Sequence, residues 1–334
     1  MMADRPALVV SNLAVSFLTA DGEVRAVRDV SFEVGRGEIV GLVGESGSGK
    51  SATALAMMGL LPRESTRVSG SALVAGVDML ALSPRQLART RGRAMGMIFQ
   101  EPMTALDPLF RIGDQIAETV RAHQRVSWRA AAARAVEMLG EVGIPDPAER
   151  ARAYPHQLSG GMRQRVMIAM ALVSEPAVLI ADEPTTALDV TVQAQILGLL
   201  RRLSRDHGTA VVLITHDLGV VAETCSRINV MYSGEIVEAC GVDDALLTPK
   251  HPYTSALIQC IPRAGRHRQP LQSIPRRGPA AGAAIPGCRF EPRCAHAAEI
   301  CRTPQALLDL GGRAVRCIRH DRLVLPGSVE TVAP

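Results

Sequence analysis

The sequence has no long hydrophobic run. No window of about eighteen residues, the least that could span a bilayer as a helix, stays apolar. The most hydrophobic stretches, such as Val178–Ala181 and Val211–Ile214, are short and stop at polar or charged residues. The chain is therefore expected not to cross a membrane by itself. Ala7–Leu18 comes nearest to a signal-peptide core, but Ser11 and Asn12 interrupt it, while Leu13, Val15 and Phe17 alternate as a half-buried strand does. No secretory leader is expected. Charge of one sign is scarce too: a net +4 over 334 residues gives no electrostatic case for nucleic acid or an acidic substrate. Nor do the seven cysteines include the C-x₂-C spacing of ordinary zinc modules. Without an export signal, they are not expected to form a disulfide framework either, because cytosolic thiols are kept reduced.

What is present is a core. Apolar residues make up 47% of the chain, enough for one large or two ordinary domains and too many for general disorder. Ile39–Val43 leads into Gly44-Glu-Ser-Gly-Ser-Gly49 and then into Ala52–Leu61, closed by Pro62, which reads as strand, loop and helix. Val178–Ala181 and Ala210–Ile214 each run into acidic residues or His, as buried parallel strands do when they deliver polar groups at their carboxyl ends. Ser127 precedes a helical pattern carried by Ala131, Ala135, Met138, Leu139 and Val142, predicting a helical insertion over about residues 101–170. A second amphipathic helix is predicted from Thr191, with Val192, Ile196, Leu199, Leu200 and Leu203 on one face and Gly208 at its end. Beyond Gly241 the composition changes. Pro262–Gly287 reads as a linker to a small cysteine-bearing tail.

Gly44-Glu45-Ser46-Gly47-Ser48-Gly49-Lys50-Ser51 fits G-x-x-x-x-G-K-[ST], with Ala52 following. Its glycines let backbone N–H groups turn toward phosphate oxygens, and the next helix adds its positive N-terminus. Lys50 is then expected to neutralise the β- and γ-phosphates and Ser51 to ligate Mg²⁺. In Val178-Leu-Ile-Ala-Asp182-Glu183 a strand places Asp182 for the Mg²⁺ shell and Glu183 beside it as a carboxylate able to polarise water.

Leu158-Ser159-Gly160-Gly161-Met162 resembles the LSGGQ-type signature of ABC ATPases, with Met162 where Gln is commoner. Gln100 after Met95–Phe99 resembles the Q-loop glutamine, Ala187-Leu188-Asp189 the D-loop, and Thr215-His216-Asp217 the switch histidine, all in the family's order. Phe17 stands where an aromatic stacks on adenine in that family. The likeness spans residues 8–240. It narrows in Tyr154–Ala171, Ala181–Gln195, Phe99–Pro108 and His251–Leu257, which look like the ATPase subunits of bacterial oligopeptide and dipeptide importers. That subfamily also includes nickel and glutathione importers.

The resemblance implies an α/β P-loop NTPase of the ABC type: a RecA-like core, an antiparallel β subdomain and a helical subdomain, followed by a small cysteine-containing C-terminal module. The cassette is expected over residues 1–245 and the extension over 246–334. It implies ATP and Mg²⁺, the metal held by Ser51, Gln100 and Asp182, with Lys50, Gln100, Glu183 and His216 serving hydrolysis. Two such ATPases pair head to tail, so that Ser159, Gly160 and Gly161 meet the nucleotide held by the partner, and Asp189 of the D-loop is counted among the nucleotide-site residues. Implied partners are a second ATPase chain, usually different and homologous, two transmembrane permeases and an extracytoplasmic peptide-binding protein, without nucleic acid. The expected location is the cytoplasmic face of the cell membrane. The rival class, soluble ABC ATPases acting on DNA or ribosomes, usually carries two cassettes or long coiled coils. This sequence has one cassette and no sustained heptads.

Cys225, Cys240 and Cys260 are scattered and read as ordinary small buried residues. Cys288, Cys294, Cys301 and Cys317 crowd the tail. Some importers of the resembling subfamily bind a [4Fe–4S] cluster through four such cysteines, as four thiolates require. A cluster, a zinc ion and plain buried thiols are the three readings left open. Arg263, Arg266, Arg268, Arg276 and Arg277 make the linker basic, which is either a solvated run or a patch for an anionic membrane surface.

Overall fold

The computed structural model describes residues 5–100, 105–186, 188–261, 274–275, 278–279, 283 and 285–327. Expectations for residues 101–104, Ala187 and the five linker arginines lie outside them. In chain order the elements begin with β1 (Leu8–Thr19), β2 (Gly22–Val34), β3 (Ile39–Val43), α1 (Lys50–Met57), β4 (Thr66–Val74), β5 (Val77–Asp78), α2 (Pro84–Thr90) and β6 (Met95–Ile98). There follow α3 (Ile112–His123), α4 (Trp128–Glu141), α5 (Pro147–Arg150), α6 (Gly160–Leu172), β7 (Val178–Asp182), α7 (Val190–His207) and β8 (Ala210–Thr215). The last are α8 (Leu218–Thr224), β9 (Arg227–Tyr232), β10 (Glu235–Gly241), α9 (Val242–Leu247), α10 (Pro252–Gln259), β11 (Leu308–Asp309) and β12 (Ala314–Val315). A four-stranded sheet has the order β2-β1-β4-β5, with β4 and β5 antiparallel.

The chain divides into two compact units. The first comprises Met1–Val9, Glu33–Ile39 and Ala72–Ile214. In it β6, β7 and β8 run parallel, with Ile98 opposite Ala181 and Asp182 opposite Ile214. Every residue of β7 and β8 is buried, which is why both read as unbroken apolar runs rather than alternating ones. The helices α3 and α4 bury Ile112, Ile116 and Val120 on one and Ala131, Ala135, Met138 and Leu139 on the other. Ser127 caps α4 as its position predicts, its Oγ accepting the Ala130 N–H at 3.2 Å.

The second unit comprises Val10–Phe32, Val40–Ser71 and Thr215–Pro334. Its β3 and β9 are parallel, with Val43 opposite Val230, and β9 to β10 and β10 to β12 are antiparallel. Val43, Val230, Tyr232, Tyr253 and Phe290 belong to one buried cluster. Its aromatic centre is tight: ring centroids lie 4.5 Å apart for Tyr232 and Tyr253, 5.2 Å for Tyr232 and Phe290, and 5.3 Å for Tyr253 and Phe290.

Two expectations change in detail. The alternation of Leu13, Val15 and Phe17 is not kept in β1: Leu8 and Val10 alternate with half-buried neighbours up to the exposed Asn12, at φ 50°, after which Leu13–Ser16 are all buried and Phe17 is half-buried. The helix after the phosphate loop is α1, two residues earlier in its start than predicted and four earlier in its end. Gly59, at φ 62°, stops it before Pro62 can, its N–H bonding the Ala56 carbonyl at 2.9 Å while Leu60 N–H bonds the Leu55 carbonyl at 2.8 Å.

Candidate nucleotide site

In the second unit the buried strand β3 delivers Gly44 to the loop Gly44–Gly49. Gly44 sits at φ 156°, and a Cβ there would collide with the Met231 carbonyl oxygen, so no other residue fits. The loop is tied internally by Ser48 N–H to the Glu45 carbonyl at 3.2 Å and externally by Gly234 N–H to the Ser48 carbonyl at 2.8 Å. Lys50 is buried and lies along the loop, its Nζ donating to the carbonyls of Gly44 at 2.8 Å and Glu45 at 3.0 Å. Ser51 is exposed in the first turn of α1, with Ala52 half-buried beside it. A cavity of about 310 Å³ opens over Glu45, Ser46, Gly47 and Ser48, walled by Ala26, Tyr232 and Arg289 among others. That is the lower end of the size range of small-molecule sites. Phe17 is half-buried on β1 and is not among the residues lining this cavity. His216 is exposed just after β8, on a turn fixed by Asp217 N–H donating to Thr215 Oγ1 at 3.0 Å and by Asp217 capping α8.

In the first unit Asp182 is the buried last residue of β7, and Glu183 follows it half-buried in the left-handed region at φ 47°. A non-glycine residue held there is strained, and such strain gathers at working sites. Two donors aim its carboxylate: Thr186 Oγ1 at 2.9 Å and Gln100 Nε2 at 3.1 Å, both on Oε2. Gln100 and Glu183, 83 residues apart, are thus brought together. Thr186 was not predicted; only its place three residues after Glu183 could have pointed to it. Ser159 caps α6, its Oγ accepting the Met162 N–H at 3.3 Å, and both Ser159 and Gly160 are exposed. A Cβ on Gly161 would stand 2.8 Å from Val192 Cγ1, so this turn lies against α7. Asp189 caps α7 through the Val192 N–H at 2.9 Å.

Comparison with known proteins matches residues 27–186 to the ABC transporter family and residues 237–301 to the oligopeptide/dipeptide transporter C-terminal region. A probable peptide ABC transporter ATP-binding protein, y4tR of Sinorhizobium fredii, is 49% identical over 95% of this chain and 96% of its own. The chain belongs to the peptide ABC transporter ATP-binding family. The oligopeptide transport ATP-binding protein OppD of Mycobacterium tuberculosis is also 49% identical over 95% of this chain, which spans 52% of that longer relative. Among solved structures, the ATP-binding cassette MJ0796, in a dimeric post-hydrolysis state with ADP and Pi, superposes with a TM-score of 0.62 at 28% identity, over 70% of this chain and 98% of that one.

As an ABC cassette the protein is an ATPase that uses ATP with Mg²⁺. No helix among the described residues is long and apolar enough to cross a membrane.

The C-terminal cysteines form a second cluster. All seven cysteines are free, and Cys288, Cys294, Cys301 and Cys317 line one small cavity. The Cys288 N–H donates to the Cys301 carbonyl at 2.8 Å, joining two of the four strands of chain around it. Burial pushes the Cys288 thiol up to about 12 and Cys294 to about 11, and the neighbouring thiols push further. Among the described residues no three His, Cys, Asp or Glu side chains are grouped so that they could hold a metal ion, which counts against zinc and an iron–sulfur cluster alike.

Proposed function

We propose that this chain powers the import of di- and oligopeptides, hydrolysing ATP as one of two cassettes on the cytoplasmic face of a membrane it does not span. The observation that carries the peptide reading is the match of residues 237–301 to the oligopeptide/dipeptide transporter C-terminal region, alongside 49% identity to y4tR. The partners are a second, homologous ATPase chain, two permeases and an extracytoplasmic peptide-binding protein. The cassette takes residues 1–245, with a helical subdomain over about 101–170 against which a permease docks, and the extension takes 246–334.

Lys50 and the loop amides take the β- and γ-phosphates, and Phe17 stacks on adenine. Ser51, Asp182 and Gln100 would hold Mg²⁺, which would supply positive charge to the oxygens of the transferred phosphoryl group. Glu183 receives a proton from the water whose oxygen attacks the γ-phosphorus, while the β–γ bridging oxygen leaves with ADP. His216 stabilises the phosphoryl oxygens from the side, and the exposed Ser159 and Gly160 and the half-buried Gly161, with Asp189, complete the site of the partner chain. Support for Glu183 in this role is its strained, doubly oriented carboxylate next to Asp182. Glu183→Gln is expected to bind ATP normally and to lower turnover in the assembled transporter by at least about 10²-fold, the low end for a positioned base. Near-normal, peptide-stimulated hydrolysis by that variant would falsify the assignment.

The same reading places a [4Fe–4S] cluster on Cys288, Cys294, Cys301 and Cys317. Its support is the shared cavity of four free thiols and the need of such a cluster for four thiolates. Bound there, it would supply electron storage or a structural crosslink. Anaerobically purified protein is expected to contain iron and acid-labile sulfide in equal amounts, both lost in Cys301→Ser. Iron-free protein of undiminished stability counts against the cluster.

A further inference from the structure

Glu45, the second residue of the phosphate loop, is held from the far end of the chain. Its backbone N–H donates to the Tyr253 hydroxyl at 2.9 Å. Its carboxylate takes both arms of one guanidinium, Arg293 Nη1 to Oε2 at 2.6 Å and Nη2 to Oε1 at 3.0 Å. The Arg293 side chain is only 4% exposed against 36% for Glu45. It is fixed on its other sides: Nε donates to the Pro275 carbonyl at 3.1 Å, Nη1 also donates to the Tyr232 hydroxyl at 3.3 Å, and the guanidinium stands 5.7 Å from the Tyr232 ring centroid. Tyr253 and Arg293 both lie in the C-terminal region, outside residues 27–186 that match the ABC family at large.

A carboxylate at this place has an electrostatic consequence. The loop's neighbouring amides serve phosphate oxygens, and Glu45, Ser46 and Gly47 all border the same cavity. An uncompensated negative charge there opposes a polyphosphate, and partial burial weakens the screening that would otherwise hide it. A guanidinium cannot lose its proton at any physiological pH and binds a carboxylate in a rigid two-point fork, so Arg293 cancels the charge and fixes the side chain at once. Tyr253 fixes the backbone of the same residue.

We propose that Arg293 is a positioning residue for nucleotide binding: together with Tyr253 it locks the Glu45 turn of the phosphate loop and cancels the Glu45 charge, so that ATP affinity depends on the C-terminal region. The proposal rests on Gly44–Ser51 being the phosphate-binding loop.

The full-length chain and its variants are titrated with a fluorescent ATP analogue and Mg²⁺ at low and at moderate salt, with thermal melts alongside. Arg293→Met is expected to raise the analogue's Kd about tenfold at low salt, and by less at moderate salt as the bare Glu45 charge is screened. Adding Glu45→Gln to Arg293→Met is expected to recover most of that loss, because the unpaired carboxylate is gone; Arg293→Lys, which keeps the charge without the fork, falls between. A purely structural staple would lower the melting temperature of Arg293→Met without a salt-dependent affinity change that Glu45→Gln repairs, and that pattern overturns the proposal. If Arg293→Met does not fold, Arg293→Lys and the double variant carry the comparison: a double variant that binds no better than Arg293→Lys at low salt overturns it. Lys50→Ala tests the premise separately. Wild-type affinity in Lys50→Ala sinks the loop assignment, whereas wild-type affinity in Arg293→Met with affinity lost in Lys50→Ala sinks the clamp alone.

Discussion

Glu183 and Glu238 show how differently one side-chain type can be used. Glu183 is half-buried and aimed by two side-chain donors. Glu238, on β10, is wholly buried and spends both oxygens on backbone, accepting Lys250 N–H at 2.8 Å and His251 N–H at 3.0 Å just ahead of α10. Burial raises its pKa above the ordinary 4.5, against the pull of these bonds. An acid whose folded pKa is raised binds more protons folded than unfolded between the two values, so its contribution to stability falls as pH rises through that window. Stability of the wild type relative to Glu238→Gln, measured by denaturant titration from about pH 4 upward to about pH 7, is therefore expected to be greatest at the acid end. A wild type that loses ground to the variant on acidification would show that the bonds outweigh burial. Arg293 and Tyr253 mark the limit of reading residues from sequence. Gly44–Ser51 and Asp182–Glu183 were legible because local spacing fixes what the backbone can present, but the Glu45 to Arg293 contact joins positions 248 residues apart, and no spacing rule encodes it.

At the scale of elements, sequence reading succeeded where one period ran uninterrupted. β7, β8, α4 and α7 are where their patterns placed them, because each buries one face or both throughout. It slipped where a single residue in the left-handed region reset the geometry. Asn12 interrupts the alternation of β1, beyond which Leu13–Ser16 are buried without a break, and Gly59 ends α1 ahead of Pro62, the more conspicuous breaker. Caps carry a double meaning here. Ser159 and Asp189 each satisfy an orphan N–H at a helix start, so the plain capping account of both residues is correct as far as it goes. Exposure decides the rest: the signature turn Ser159–Gly160 is a helix N-terminus facing outward, and its stiff anchoring against Val192 keeps that end presented.

For the whole molecule, the C-terminal region is built into the second unit rather than hung from it. β12 continues the sheet through β10, with Val315 opposite Glu238, and Phe290 completes the aromatic group begun by Tyr232 and Tyr253. Composition pointed to a linker and a tail because Pro, Arg and Gly dominate residues 262–287, and composition is blind to where the chain returns. Phe290→Ala alone is expected to cost about 3–5 kcal/mol, the usual range for emptying a core aromatic site. Removing residues 262–334 withdraws Phe290, Arg293 and β12 together, so Tyr232 and Tyr253 lose the Phe290 ring packed on them and the phosphate loop loses its guanidinium. A chain ending at Ile261 is expected to be insoluble, or to lack near-ultraviolet dichroism and bind apolar dyes, and in either form to bind ATP no better than Lys50→Ala. A soluble truncated chain with a cooperative melt and the full chain's ATP affinity would mean that the cassette folds and works without its C-terminal region, and that Arg293 bears on assembly rather than on the nucleotide.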